Sequence, residues 1–460
     1  MSADSWPQPV PVTPRQRSLM MDALTRQGDG RHVGQLDWLW HGELDTERFD
    51  RAWQEVAAVE TALRTAFDRS GEPALLLHRH AEIEVVRHRV SPAAWEALRA
   101  EDHARGFDLA RPPLLRVALV DQASGAHAAP PVTRMLLTYH QALLDQWSVL
   151  LLLHEFYRGY LADGAPRGGE RRPDMRDYVA WVGAQDTRPA QEFWSQAVPP
   201  GPARVRPAVL GPATGQHGTG RVEARLAVSM ADRLRSWAAD RAATESLALQ
   251  AVWALLLYRV AGNGAGTQPV GFGVSVSGRG IALDSVERLP GLLVNSLPMV
   301  VRIDPDGHLP GLLSDLRDQA LGMVGYEWVS VEQIRSWCGR EPGEELTDSL
   351  IVFQHLPQIP RDLEEALAAE GIRVDGPLGG TWDAGIPVTL LSFRDADDTL
   401  VLTVVHDRER VSDRDARRLV TLCARLLSEL PESVDGVTTI GDVLASLADQ
   451  ELPRIAEAAR

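Results

Sequence analysis

The chain has 460 residues, 44% of them hydrophobic and 24% charged, long enough for two ordinary hydrophobic cores. Its formal net charge of -16 argues against nonspecific binding to nucleic acid or to an anionic membrane surface. Two cysteines, Cys338 and Cys423, lie far apart, so neither a disulfide framework nor a thiolate-rich metal site is expected. The amino terminus lacks a basic region followed by an apolar stretch, and no apolar run reaches the length of a membrane span, so a cytoplasmic protein is expected.

In chain order, Phe49, Ala52, Trp53, Val56 and Val59 recur at helical spacing behind Asp45, which predicts a capped helix with one face against a sheet. A strand is expected at 116–120. The apolar runs 135–139 and 149–153 flank a polar segment, His140-Gln141-Ala142-Leu143-Leu144-Asp145-Gln146-Trp147-Ser148, which reads as strand, loop and helix with the polar groups gathered at the turn. Trp181 and Trp194 are expected to be core packing. Residues 199–220, rich in Pro and Gly, interrupt all periodicity and predict a linker between domains at 1–198 and 221–460. Further strands are expected at 270–276, 350–353 and 400–405, and Ser412 with Asp415 forms a capping pattern ahead of a helix that buries Leu419, Leu422, Cys423, Leu426 and Leu430. The fold class is α/β, without a short-period repeat.

Five ordered segments resemble the condensation domains of nonribosomal peptide synthetases. Residues 140–148 are similar to the family's HHxxxDG motif followed by Trp-Ser. Upstream, 62–67 (ALRTAF) resembles its LRTxF segment, and Phe107-Asp108-Leu109 with 113–117 (PLLRV) resembles FDL…PLLR. Downstream, Ser277-Gly278-Arg279 and 291–298 (GLLVNSLP) resemble SGR and GxFxNTLP. The resemblance implies two chloramphenicol-acetyltransferase-like lobes in a V-shaped pseudo-dimer with a central tunnel. It also implies acyl transfer from a thioester on the phosphopantetheine arm of an acyl or peptidyl carrier protein.

The motif departs from the family in two places. Gln141 stands where the second histidine would orient or deprotonate an amine; an amide can donate and accept hydrogen bonds but takes no proton near neutral pH. Gln146 replaces a glycine, bringing a long side chain into the implied passage. His140 is expected to be a buried imidazole that shapes the loop. Asp145 is expected to be structural, paired with Arg279 or, second, Arg64, because an unpaired buried carboxylate is costly. Together Gln141, His140 and Asp145 are the catalytic candidates, with Gln146, Trp147, Ser148, Asn295 and His355 as substrate-contact candidates, and Trp382 with Asp383 either lining the acceptor side or forming a turn.

Other chemistry is weakly signalled. Gly271-Phe272-Gly273 lies within a strand pattern, unlike a phosphate cradle, and His78, Arg79 and His80 lack the further ligands of a zinc site. The arginines at 167, 171, 172 and 176 read as a solvated run that could meet an acidic carrier protein. The chain begins and ends near the limits of the resemblance, which implies either a free-standing protein or a piece of a synthetase, acting in trans; a monomer with no bound cofactor and no metal is expected. Two functions are weighed: acyl transfer with altered chemistry, and a noncatalytic recruitment module, like the X domains of glycopeptide assembly, that binds a carrier protein or a tailoring enzyme. Cyclization is disfavoured because His140 stands where the heterocyclization motif has its first aspartate.

Overall fold

The computed structural model describes residues 9–25, 32–89, 94–121, 131–163, 172–198, 214–261, 266–341, 344–354, 357–376, 379–380, 386–395 and 397–446. In the first half it has β1 (Val10–Pro11), α1 (Pro14–Thr25), β2 (Val33–His41), α2 (Thr46–Val59), β3 (Thr65–Asp68), β4 (Ala74–Leu77), β5 (Glu84–His88), α3 (Trp95–Arg105), β6 (Leu115–Asp121), β7 (Val132–His140), α4 (Gln146–Leu161) and α5 (Met175–Gly183). Next come α6 (Thr187–Ala197), β8 (Thr219–Leu226), α7 (Val228–Ala239), α8 (Glu245–Ala261), β9 (Gln268–Val276), β10 (Asn295–Ile303), α9 (Leu309–Val324), α10 (Val331–Trp337) and β11 (Ser349–Phe353). The chain closes with α11 (Arg361–Ala369), β12 (Arg373–Val374), β13 (Gly379–Gly380), β14 (Val388–Arg394), β15 (Leu400–Asp407), α12 (Asp413–Glu429) and α13 (Ile440–Ala445).

Two compact units result: one comprises Met1–Gln185, Ala282–Leu293 and Leu356–Trp382, the other Asp186–Ile281, Val294–His355 and Asp383–Arg460. The first unit therefore draws two pieces from the downstream half. Of the linker expected at 199–220, residues 199–213 lie outside the described residues, and β8 begins at Thr219.

In the first unit the main sheet runs β12-β2-β7-β6-β5, with β13 also pairing β2; β5 is parallel to β6 and the rest is antiparallel. Arg373 pairs with His41 and Gly379 with Asp37, so the 356–382 piece completes an edge of this sheet. His41 Nε2 lies 2.8 Å from an Asp375 carboxyl oxygen at the same edge. The capped helix arises as the spacing predicts: Asp45 accepts from the backbone N–H of Glu47 and Arg48, and Phe49, Ala52, Trp53 and Val56 are buried. Val59 is a correction, being 66% exposed. It lies at the margin of the apolar stripe, and Ala57 and Glu60 take the buried positions instead. Helix α2 packs on α4, where the Trp53 and Phe156 rings stack with centroids 4.7 Å apart.

The second unit's sheet runs β10-β9-β11-β14-β15-β8, with β11 parallel to both neighbours. Helix α8 is apolar on every side and is buried throughout 247–258, the pattern of a central core helix. Helix α12 starts where expected, Ser412 accepting the Asp415 N–H, and it buries Leu419, Leu422, Cys423 and Leu426. Trp194 is fully buried, whereas Trp181 is only partly so and donates its indole N–H to the Ala282 carbonyl. Among the described residues no helix is long and apolar enough to cross a membrane.

Candidate functional site

The segment 140–148 is the end of β7, a tight turn and the first turn of α4. His140 closes the strand, pairing with Val33 of β2 and donating its backbone N–H to the Leu114 carbonyl at 3.0 Å. The Gln141 N–H donates to the His32 carbonyl at 2.7 Å, and the N–H groups of Leu143 and Leu144 both return to the His140 carbonyl. Ala142, Leu143 and Leu144 are buried and anchor the turn. Before it, Tyr139 lies over Gly34, where a Cβ would stand 2.5 Å from the ring; burial raises the phenol's pKa.

Asp145 is the N-cap of α4. One carboxyl oxygen accepts the Ser148 N–H at 2.8 Å and the Ser148 hydroxyl at 2.7 Å, and the other accepts the Leu293 N–H at 3.0 Å. Ser148 Oγ accepts the Gly291 N–H at 2.8 Å and lies 2.7 Å from the Gly291 carbonyl, which also receives the Asp145 N–H at 3.3 Å. The Trp147 indole donates to the Glu287 carbonyl at 3.0 Å. At Gly291 a Cβ would stand 2.4 Å from Met175 Sδ, so any larger residue would force the Met175 side chain to shift. Thus the motif loop is locked to residues 287–293, and this contact is what gives 282–293 to the first unit.

The electrostatics of His140 fit a shaping role. It is 2% exposed, and burial, with a smaller repulsion from His32, lowers its pKa to about 3. The Ala142 N–H donates to Nδ1 at 3.2 Å, which assigns the neutral ring's proton to Nε2. A ring so held is a weak proton acceptor in the neutral range. Gln141 differs: it is partly exposed, and among the described residues no hydrogen bond to its side-chain amide is found. The loop therefore presents an uncommitted amide beside a neutral, committed imidazole.

The remaining candidates fall in both units. Gln146 is the first residue of α4 and is partly exposed. Asn295 is buried at the start of β10 in the second unit, where both side-chain hydrogens go to backbone, to the Glu327 carbonyl at 2.9 Å and the Val329 carbonyl at 2.8 Å. Arg279, also in the second unit, donates to the Ser277 carbonyl, and Arg64 donates to the His78 and Arg79 carbonyls. His355, Trp382 and Asp383 lie outside the described residues, as do Arg167 and Arg171. Arg172 pairs with Glu60 and Glu155, and Arg176 with Asp174. Among the described residues no cluster of His, Cys, Asp and Glu could hold a metal ion.

Sequence reasoning missed the backbone partners of the motif, Gly291, Leu293 and Glu287. Both segments carried motifs, but backbone groups leave no composition signal.

Comparison with known proteins places this arrangement. The family model described as Condensation domain matches residues 8–375. One of the chains of the linear gramicidin synthase of Brevibacillus parabrevis is 28% identical over 365 residues, 75% of this chain but 7% of that protein. The chondramide synthase cmdD of Chondromyces crocatus is 29% identical over 351 residues, 74% of this chain and 9% of that protein. The chain thus spans under a tenth of the length of these curated relatives. Among solved structures, the first condensation domain of the calcium-dependent antibiotic synthetase, in complex with a substrate analogue, matches with TM-score 0.73 at 17% identity, covering 95% of this chain and 99% of that one. The X-domain from teicoplanin biosynthesis matches with TM-score 0.73 at 21% identity, covering 96% of this chain and 98% of that one, and it has also been solved in complex with OxyB.

Proposed function

Because the chain belongs to the condensation-domain family of nonribosomal peptide synthetases, we propose that it transfers acyl or aminoacyl groups presented as phosphopantetheine thioesters by a carrier protein, as a cytoplasmic monomer. In this reading Gln141 orients the attacking group and does not deprotonate it. The new bond forms at the thioester carbonyl, the C–S bond breaks, and the nucleophile's proton leaves with the pantetheine thiol. The observation that carries the reading is the uncommitted Gln141 amide, held on a turn whose backbone N–H groups from Gln141 to Asp145 are all engaged. Magnitudes allow it. Loss of a general base forfeits about 10² to 10⁴ in rate, whereas alignment of the reactants supplies about 7 to 11 kcal/mol.

A second reading, recruitment, is favoured by the neutral, hydrogen-bonded His140 beside an amide that cannot be protonated. The X-domain of teicoplanin biosynthesis, solved with OxyB, shares the fold. In that reading the chain docks a carrier protein or tailoring enzyme without turnover.

One experiment separates the two. The protein is incubated with acyl-loaded holo carriers and a panel of amines, and carrier-bound species are followed by intact-protein mass spectrometry. Transfer is expected, slowed in Gln141→Ala at an unchanged melting temperature. No transfer across the panel, together with equal affinity for apo and acyl-loaded carrier, overturns catalysis in favour of recruitment.

A further inference from the structure

Two locally unfavourable features of the first unit meet beside the motif turn. His32 takes φ +59°, a left-handed backbone that is uncommon outside glycine and whose cost the surroundings must offset. Asp22 stands in the last turn of α1, where the helix dipole disfavours a carboxylate and no basic residue is present to compensate. Their side chains pair: His32 Nε2 lies 2.8 Å from Asp22 Oδ2, with the imidazole 10% and the carboxyl 33% exposed. An ionised carboxylate only accepts, so Nε2 carries the proton and donates. Helix α1 is a firm anchor for this bond. It buries Gln16 and Met20, and its start is capped reciprocally, the Thr13 N–H donating to Gln16 Oε1 at 3.0 Å and the Gln16 N–H to Thr13 Oγ1 at 3.2 Å.

Through its backbone His32 reaches the site. Its carbonyl accepts the Gln141 N–H at 2.7 Å, and the next residue, Val33, opens β2 opposite His140. The Gln141 side chain leaves the backbone at the Cα beside that N–H, so a shift of the His32 carbonyl carries the amide with it. The His32 ring is also close enough to His140 for its charge to add to the lowering of that residue's pKa.

We propose that Asp22 and His32 are positioning residues for Gln141: their side-chain pair holds His32 in the left-handed conformation that aims its carbonyl at the Gln141 N–H, and so fixes where the Gln141 amide sits. The proposal rests on the reading of Gln141 as the group that orients the attacking nucleophile. It accounts for both features at once. A histidine at this φ and an acid at this end of a helix are each unfavourable alone, and the bond between them offsets both through a charge-assisted contact. Neither residue touches a reactant; Asp22 acts through His32, and His32 through the Gln141 backbone.

The test compares the full chain, labelled with 15N at glutamine and leucine, with Asp22→Ala and His32→Asn. Asparagine tolerates the left-handed backbone but is shorter than histidine, so it removes the pair and keeps the conformation accessible. Each variant is expected to move both the backbone and the side-chain amide resonances of Gln141. Each should also speed exchange of the Gln141 N–H by about three- to tenfold, the worth of one hydrogen bond, while the Leu293 N–H, held by Asp145, keeps its protection. The double variant should go no further than either single one, because both break the same bond. Asp22→Asn, which retains an acceptor for Nε2–H, should restore most of the parent behaviour. In the carrier transfer assay the two single variants should lower kcat and leave KM for the acyl carrier nearly unchanged. Gln141 resonances that stay fixed in both variants, additive effects in the double variant, or equal loss of protection at Leu293 overturn the positioning role. Absence of transfer in the parent overturns the acyl-transfer reading, and the resonances still decide whether the pair places Gln141.

Discussion

Replacing Asp145 by alanine tests the central structural reading, that this carboxylate builds the motif loop. Among the described bonds the substitution deletes the cap on Ser148 N–H, the bond to the Ser148 hydroxyl and the bond to Leu293 N–H. An aspartate cap contributes about 0.5 to 2 kcal/mol. A buried N–H left without an acceptor, as at Leu293, costs about 1 to 3 kcal/mol. The hydroxyl adds little, because it can turn to the Gly291 carbonyl already 2.7 Å away. Together the loss is about 1.5 to 5 kcal/mol. For a unit of this size about 2 to 4 °C of melting temperature corresponds to each kcal/mol, so Asp145→Ala should melt roughly 3 to 20 °C lower. Asp145→Asn keeps one carbonyl oxygen, which can serve either Ser148 or Leu293, and should fall about midway. Thermal denaturation by circular dichroism gives the ranking, and hydrogen exchange at the Leu293 amide locates the loss. An alanine variant that melts with the parent and keeps Leu293 protected refutes the argument; if it were also inactive, Asp145 would act in the chemistry itself.

Three further outcomes follow from the site. His140 and His154 have pKa values lowered by burial to about 3 and about 4. With folded values below unfolded ones, stability falls as pH drops below about 6.5, by at most about 1.4 kcal/mol per pH unit for each group; urea unfolding of His140→Gln across that range should show a shallower slope than the parent. Gly291→Ala places a Cβ 2.4 Å from Met175 Sδ and should cost about 1 to 3 kcal/mol; Met175→Ala in the same chain should recover part of the loss, and a Gly291→Ala protein as stable as the parent would show that the loop has room. Gln141→His should add transfer activity with an inflection in the pH–rate profile if the proton acceptor is what the loop lacks. A flat profile in a folded, active variant would mean that the ring is not in reach of the substrate.

Legibility in the sequence divided along physical lines. The elements whose signal is local were readable: the Asp45 and Ser412 caps, the apolar stripes of α2 and α12, and the strand cores at 116–120, 270–276, 350–353 and 400–405 all depend on neighbours a few residues away. Val59 failed because a stripe's margin is set by what packs against it, not by period alone. The discontinuous makeup of the first unit was not readable. It rests on backbone bonds from Gly291 and Leu293 to Asp145 and Ser148, and on the β12 and β13 pairings with β2. Every residue except proline carries the same backbone groups, so such pairing leaves no mark in composition. At the site, residue types show that Gln141 stands where the resembled motif has a histidine, and geometry shows how the rest of the loop is held. Asp145 and Ser148 still fix the loop, and His140 spends Nδ1 on the Ala142 N–H. These bonds around an uncommitted Gln141 amide are the physical support for the proposal that the loop positions a reactant.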